Sequence, residues 1–223
     1  MVNILMSRSS GLVAPWAVEK VSKYLKPNMK AVIIGYSFFG QLNKEEYEQH
    51  YGNNSEYQEK MRSIFAVYDI KDVKWISYYN LNTDEIINDI NNADILYFPG
   101  GAPDLMMDRI KERNLLETIK KFDKIVIGSS AGAMIQLETY HISKDNEYNK
   151  FSLNEGLGFI NEFFIEVHYR RRKVQKSSMR KMRKQFLKPV YIIPDDGILI
   201  VDNKNVIEVN TARKFYNEKG IIK

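Results

Sequence analysis

No cysteine occurs among the 223 residues. Disulfides, thiol nucleophiles and thiolate metal sites are thereby excluded, and the composition fits a reducing compartment. No uninterrupted apolar stretch approaches the length of a membrane span. The apolar run near the N-terminus, Val2 to Met6, is too short for the core of a secretory signal, so a cytoplasmic protein is expected. Internal repeats and linkers are missing as well, and a chain of this length suits one sizeable core, so one domain spanning residues 1–223 is expected. Histidine is scarce, with only three in the chain, which makes any search for an imidazole base short.

What is present is an ordinary balance of 44% hydrophobic and 27% charged residues with a formal net charge of +5. Much of the positive excess sits in Arg170-Arg171-Arg172-Lys173 and in the segment from Lys176 to Lys188. Such a run usually forms a solvated helix face, and it could equally form a receptor for an acidic substrate. A nucleic-acid binder using this run is the least favoured class, because no aromatic residues are interleaved with it for base stacking. No nucleic-acid or membrane partner is expected.

Short apolar, β-branched runs alternate with amphipathic segments. Strands are predicted at Val2–Met6, Lys30–Gly35, Val73–Ser77, Asp94–Phe98 and Ile125–Ile127, and helices at Leu12–Leu25, Lys44–Tyr68 (broken near Gly52), Thr83–Asn91 with Thr83 as N-cap, and Asp104–Lys121. This alternation predicts an α/β fold, a doubly wound, mostly parallel sheet flanked by helices. Beyond residue 140 the pattern changes. Phe163–Val167 and Val190–Ile193 read as strands and Val174–Leu187 as a basic helix. Ile198–Val201 and Val206–Val209 read as a C-terminal β-hairpin around Asp202-Asn203-Lys204-Asn205. Residues 215–223 are expected to add a last strand or lie on the surface.

The most informative stretch is Ile125-Val126-Ile127-Gly128-Ser129-Ser130-Ala131-Gly132-Ala133-Met134. An apolar strand, a G-x-S-x-G turn centred on Ser130 and a run of helix formers from Ala133 to Glu138 make the context in which that motif presents a nucleophilic serine. A serine hydroxyl needs a base, and imidazole suits the task because it titrates near neutrality. His50 lies in a polar segment, and His141 follows the motif too closely to fold back easily. His168 ends a predicted strand at the edge of the sheet where Ser130 would emerge, and is the preferred base. A carboxylate should orient that imidazole. Pro194-Asp195-Asp196-Gly197 offers Asp195 and Asp196, and spacing does not choose between them; it would also make a plain turn. The order Ser130, His168, Asp195 or Asp196 differs from the Ser, acid, His order of α/β-hydrolases. A rival order through Asp145 would restore it, but Asp145 lies in a polar loop. Donors for an oxyanion would be the backbone N–H of Ala131 and of Gly100-Gly101, at the end of the strand expected beside the Ser130 strand. The same glycines could form only a tight strand-to-helix turn, or cradle phosphate at a helix N-terminus, although neither G-x-G-x-x-G nor a following Lys-Ser/Thr is present.

Together these pieces resemble the aspartyl dipeptidase (peptidase E) family of serine peptidases, relatives of the cyanophycinases with a fold like class I glutamine amidotransferases. The matching residues are Phe98-Pro99-Gly100-Gly101, Gly128-Ser129-Ser130-Ala131-Gly132-Ala133, Glu155-Gly156-Leu157-Gly158, His168 and Asp195-Asp196-Gly197. The resemblance implies Ser130 as nucleophile, His168 as base, Asp195 or Asp196 as third member, and an oxyanion hole at Gly100, Gly101 and Ala131. It also implies that Arg170, Arg171 or Arg172 binds an acidic side chain of a small peptide. No metal or cofactor is expected to be needed, and a monomer or homodimer is expected. The chain departs from the family in having Ala102-Pro103 where relatives commonly carry Asn-Thr after the glycine pair. The alternative expectation is a catalytically silent or regulatory protein of the same fold that binds an acidic small ligand.

Overall fold

The structure is a computed structural model and describes residues 1–217. Its centre is a seven-stranded sheet built from β1 (Val2–Met6), β2 (Lys30–Gly35), β3 (Asp72–Ser77), β4 (Ile95–Phe98), β5 (Ile125–Ser129), β10 (Gly197–Asp202) and β11 (Asn205–Asn210). The spatial order is β11-β10-β1-β5-β4-β2-β3. The five strands from β1 to β3 in that order pair in parallel, whereas β10 and β11 add an antiparallel edge. This is the expected α/β class with its C-terminal hairpin. The hairpin turn falls on Asn203 and Lys204, both with positive φ (46° and 78°), which matches the right-handed twist of the flanking strands.

Both faces of the central strands are buried, which explains why they read as continuous apolar runs. Side chains alternate between two cores. Leu5, Val32, Ile34, Leu96, Phe98 and Val126 face one, and Ile4, Met6, Ile33, Ile95, Tyr97 and Ile127 face the other. Helices α1 (Pro15–Val21), α2 (Lys44–Tyr51), α3 (Glu56–Ala66), α4 (Thr83–Asn92), α5 (Pro103–Glu112) and α6 (Leu116–Lys120) occupy the crossovers.

Several boundaries differ from the sequence expectation. The predicted first helix is split, with a 3-10 turn at Ser9–Val13 and an α-helix that begins at Pro15, where proline is tolerated because that N–H has no helical partner. The cap of α4 is Asn82, whose side chain accepts from the Glu85 N–H, so Thr83 is the first helical residue. The predicted helix Asp104–Lys121 is two helices, because Asn114 takes φ 55° and turns the chain.

The segment after Ser130 departs most. Its helix, α7 (Ala131–Met134), is a single turn, and the chain then reverses into an antiparallel pair, β6 (Thr139–Ile142) with β7 (Ser152–Glu155). A third sheet, in the order β12-β9-β8, joins β8 (Phe164–Val167), β9 (Val190–Ile193) and β12 (Arg213–Tyr216), with β8 and β9 parallel. The strand leading to His168 therefore belongs to this small sheet and not to the central one. Between β8 and β9 runs α8 (Lys173–Phe186), ended by Leu187 in the left-handed conformation. The strand option for the C-terminal segment holds at residues 213–216, and residues 218–223 lie outside the described residues. Among the described residues, no helix is long and apolar enough to cross a membrane.

Candidate active site

Ser130 occupies the turn between β5 and α7 with φ 50° and ψ −111°, outside the regions open to most L-residues. Three close approaches hold it there. Its N–H donates to the Met6 carbonyl at 2.8 Å, at the end of the neighbouring strand β1. A Cβ on Gly128 would collide with the Gly132 carbonyl, and one on Gly132 would collide with the Phe98 carbonyl. Both glycines of the G-x-S-x-G turn are thus required by contact between backbones. The serine sits at the carboxyl ends of the parallel strands, where ligands bind in open α/β sheets.

His168 comes from the other sheet. It follows β8 directly, also at positive φ (50°), and its Nε2 lies 3.0 Å from Ser130 Oγ. Its Nδ1 lies 2.6 Å from Asp195 Oδ1. A carboxylate oxygen only accepts, so Nδ1 carries the proton and Nε2 is left to accept from the serine hydroxyl. The parallel register that sets Val167 beside Ile193 sends both chains out of the sheet side by side and brings these two side chains together. Ser7 and Gln175 fix the turn. Ser7 Oγ accepts from the His168 N–H at 2.8 Å and donates to the Ile193 carbonyl at 2.6 Å. Gln175 Nε2 donates to the His168 carbonyl at 3.0 Å, and its Oε1 accepts from the Arg170 N–H at 2.9 Å. Neither residue belongs to a motif. Their burial as polar side chains is visible only in the folded chain.

Asp195 and Asp196 have separate surroundings. The second oxygen of Asp195, Oδ2, accepts from Arg8 at 3.0 Å and from Arg170 at 2.9 Å. Burial raises the Asp195 pKa, but hydrogen bonds from His168, Arg8 and Arg170 outweigh it and hold the carboxyl well below the usual carboxylate range. Asp196 turns away. Its Oδ1 accepts from the Thr211 hydroxyl at 2.6 Å and its carbonyl from Asn210 Nδ2 at 2.6 Å.

A cavity of about 490 Å³ opens over Ser130 and His168, lined also by Arg8, Gly101, Arg170 and Arg172. Gly101 has φ 146° and packs so closely on the Ser37 carbonyl that no side chain fits. Gly100 lies against the Ser130 side chain, and β4, which leads to this pair, does neighbour β5. Ala131 is fully buried at the first position of α7, where a backbone N–H has no partner within the helix. Of the three sequence-predicted arginines, Arg170 is engaged with Asp195, and Arg171 lines a different concavity with Tyr169 and Arg213. Arg172 lines the cavity and forms no ion pair among the described residues.

Asp145 lines the rim through an exposed loop, and its Oδ1 accepts from the backbone of Glu147 and Tyr148. Among the described residues, His168 bonds Asp195 and Ser130 and no hydrogen bond joins it to Asp145. His141, set aside on the sequence as too close to the Ser130 turn, does reach this cavity, because α7 is short enough for β6 to double back. It bonds Glu166 and not Ser130. His50 lies on α2, away from the cavity. Among the described residues, no group of three or more His, Cys, Asp or Glu side chains is arranged to hold a metal ion.

No curated protein matches the chain. Crystal structures that share the fold include two from bacteria. One is a protein named as a peptidase E from Listeria monocytogenes EGD-e, 16% identical, with a TM-score of 0.66 over 96% of this chain and 98% of that one. The other is a peptidase from an acI-B1 actinobacterium, 17% identical, with a TM-score of 0.56 over 89% of this chain and 82% of that one. The model of peptidase family S51 matches residues 49–209, a span that takes in the Ser130 turn, His168 and Asp195. On that match, joined to the geometry around Ser130, the chain belongs to peptidase family S51 and is a serine peptidase.

Proposed function

We propose that the protein hydrolyses short peptides, dipeptides with an N-terminal aspartate foremost, through an acyl-enzyme on Ser130. The observation that carries this reading is the hydrogen-bonded line from Ser130 Oγ through His168 to Asp195 at 3.0 and 2.6 Å. Ser130 Oγ attacks the scissile carbonyl carbon while its proton passes to His168 Nε2. Asp195 keeps the imidazole in the required tautomer and stabilises the cation that forms. The oxyanion of the tetrahedral intermediate is met by the backbone N–H groups at Ala131 and the Gly100-Gly101 turn. Its collapse breaks the C–N bond, and His168 returns the proton to the leaving amine. Water, deprotonated by His168, then attacks the ester and restores Ser130.

The preference for an acidic residue rests on Arg172, the arginine of the basic run that lines the cavity without an ion pair among the described residues. A guanidinium matches a carboxylate through two parallel hydrogen bonds. Arg170, by contrast, supports Asp195.

Ser130→Ala tests the mechanism. It should lower kcat on Asp-Leu by on the order of 10⁴- to 10⁶-fold and abolish labelling by a fluorophosphonate, with the thermal unfolding transition retained. Full activity in that folded variant would sink the assignment. A panel of Asp-Leu, Glu-Leu and Ala-Leu on the wild type tests the acidic preference, and equal kcat/KM on all three would refute it.

A further inference from the structure

We propose that Glu166 is the anchor for the α-ammonium group of the substrate, which makes the cavity a site for peptides with a free N-terminus. The proposal rests on the reading of Ser130 as the atom that meets the scissile carbonyl.

Glu166 lies on β8 two residues before His168, and its side chain is 5% exposed. Its Oε2 accepts from His141 Nε2 at 2.7 Å and from Ser143 Oγ at 3.0 Å. Its Oε1 accepts from no described residue, yet Glu166, His141 and Ser143 all line the cavity that holds Ser130. A carboxylate offers about four lone-pair sites. The idle oxygen is not sealed in the core but open to the cavity, where a cationic donor can complete it. His141 and Ser143 come from the β6 end and Glu166 from β8, so two elements converge to hold one oxygen and leave the other idle.

Substrate geometry supplies the donor. In a peptide whose first residue carries the scissile carbonyl, the α-nitrogen is about 2.5 Å from the carbonyl carbon. When that carbon is against Ser130 Oγ, the ammonium must sit in the same cavity beside it. Three acidic residues line the cavity, Asp145, Glu147 and Glu166. Asp145 and Glu147 are exposed in the loop after β6, and Asp145 already accepts two backbone N–H groups. Glu166 is the buried one, oriented by two side chains and two residues from the base. The cavity then has two poles. Glu166 meets the ammonium and Arg172 meets the side-chain carboxylate of the same residue.

The test compares Asp-Leu with succinyl-Leu, which is the same molecule without the amino group. Calorimetric binding to Ser130→Ala removes turnover from the measurement. Asp-Leu should bind roughly 10- to 100-fold more tightly than succinyl-Leu, the range of a charge-assisted hydrogen bond. Adding Glu166→Gln should erase that difference by weakening Asp-Leu alone, with succinyl-Leu binding as the control for folding. Glu166→Asp, which keeps the charge one methylene further back, should retain part of the preference and serves where the Gln variant does not fold. Equal binding of the two ligands with Glu166 intact, or a preference that survives Glu166→Gln, overturns the proposal. A wild type that turns over neither compound while the Glu166-dependent preference persists would refute hydrolysis and leave the anchor standing.

Discussion

Replacing Asp195 with asparagine changes one atom and reverses the logic of the whole hydrogen-bonded line. Asp195 accepts three hydrogen bonds, one on Oδ1 from His168 and two on Oδ2 from Arg8 and Arg170. Asparagine has one acceptor oxygen and one donor NH₂ group. Two guanidiniums can only donate, so the oxygen turns to them and the NH₂ turns to His168. Nδ1 must then accept, the ring proton moves to Nε2, and Nε2 can no longer take the proton of Ser130. A wrong tautomer of this kind costs about 10⁴ in kcat in a serine protease triad, or about 5.4 kcal/mol of barrier at 1.36 kcal/mol per decade. Steady-state hydrolysis of Asp-Leu should show this loss at an almost unchanged KM, and the rate of fluorophosphonate labelling should fall in parallel. Asp196→Asn is the matched control. It removes the charge but keeps an amide oxygen that accepts from the Thr211 hydroxyl, and should leave kcat within about threefold, since that bond lies away from the reacting atoms. An Asp195→Asn enzyme within tenfold of wild type, or an Asp196→Asn enzyme as impaired, would refute the assignment of Asp195.

The same carboxylate sets a pH signature of stability. Its pKa is depressed in the folded state, so its contribution is complete above the unfolded value of about 3.9 and fades as pH falls below it toward the folded value. The Tm gap between wild type and Asp195→Asn should therefore narrow between pH 4 and pH 2.5, and a gap that widens there would contradict the sign. Gly132→Ala should lower stability by roughly 1–3 kcal/mol or more, read as a fall in Tm, because its methyl would meet the Phe98 carbonyl. Leu187 is 66% exposed and adopts φ 54° at the end of α8. Leu187→Gly should raise stability in urea unfolding by up to about 1 kcal/mol, by relieving a left-handed side chain.

Much of this protein was legible from local pattern. Apolar β-branched runs such as Lys30–Gly35 and Ile125–Ser129 are strands because a sheet covered on both faces admits little else. Gly128 and Gly132 flank Ser130 because backbone meets backbone there, and the Asn203-Lys204 turn follows from the chemistry of a short hairpin. The search for a base was short because only three histidines exist. Short-range steric rules act within a few residues, and a sequence displays them directly.

Other features depended on contacts that span the chain. Asp195 and Asp196 are adjacent and chemically alike, and only the parallel register of β8 with β9 turns one toward His168 while the other meets Thr211. Arg170, Arg171 and Arg172 are indistinguishable as a run, yet one supports Asp195, one lines another concavity and one lines the cavity over Ser130. Ser7 and Arg8 sit more than 150 residues from the groups they hold, and no spacing rule connects them. The Glu166–His141 pair arises because a one-turn helix lets β6 return to the cavity. In each case residue type limits which chemistry is available. The direction in which a side chain leaves its strand or turn is decided by packing across distant segments, and that direction assigns the partner.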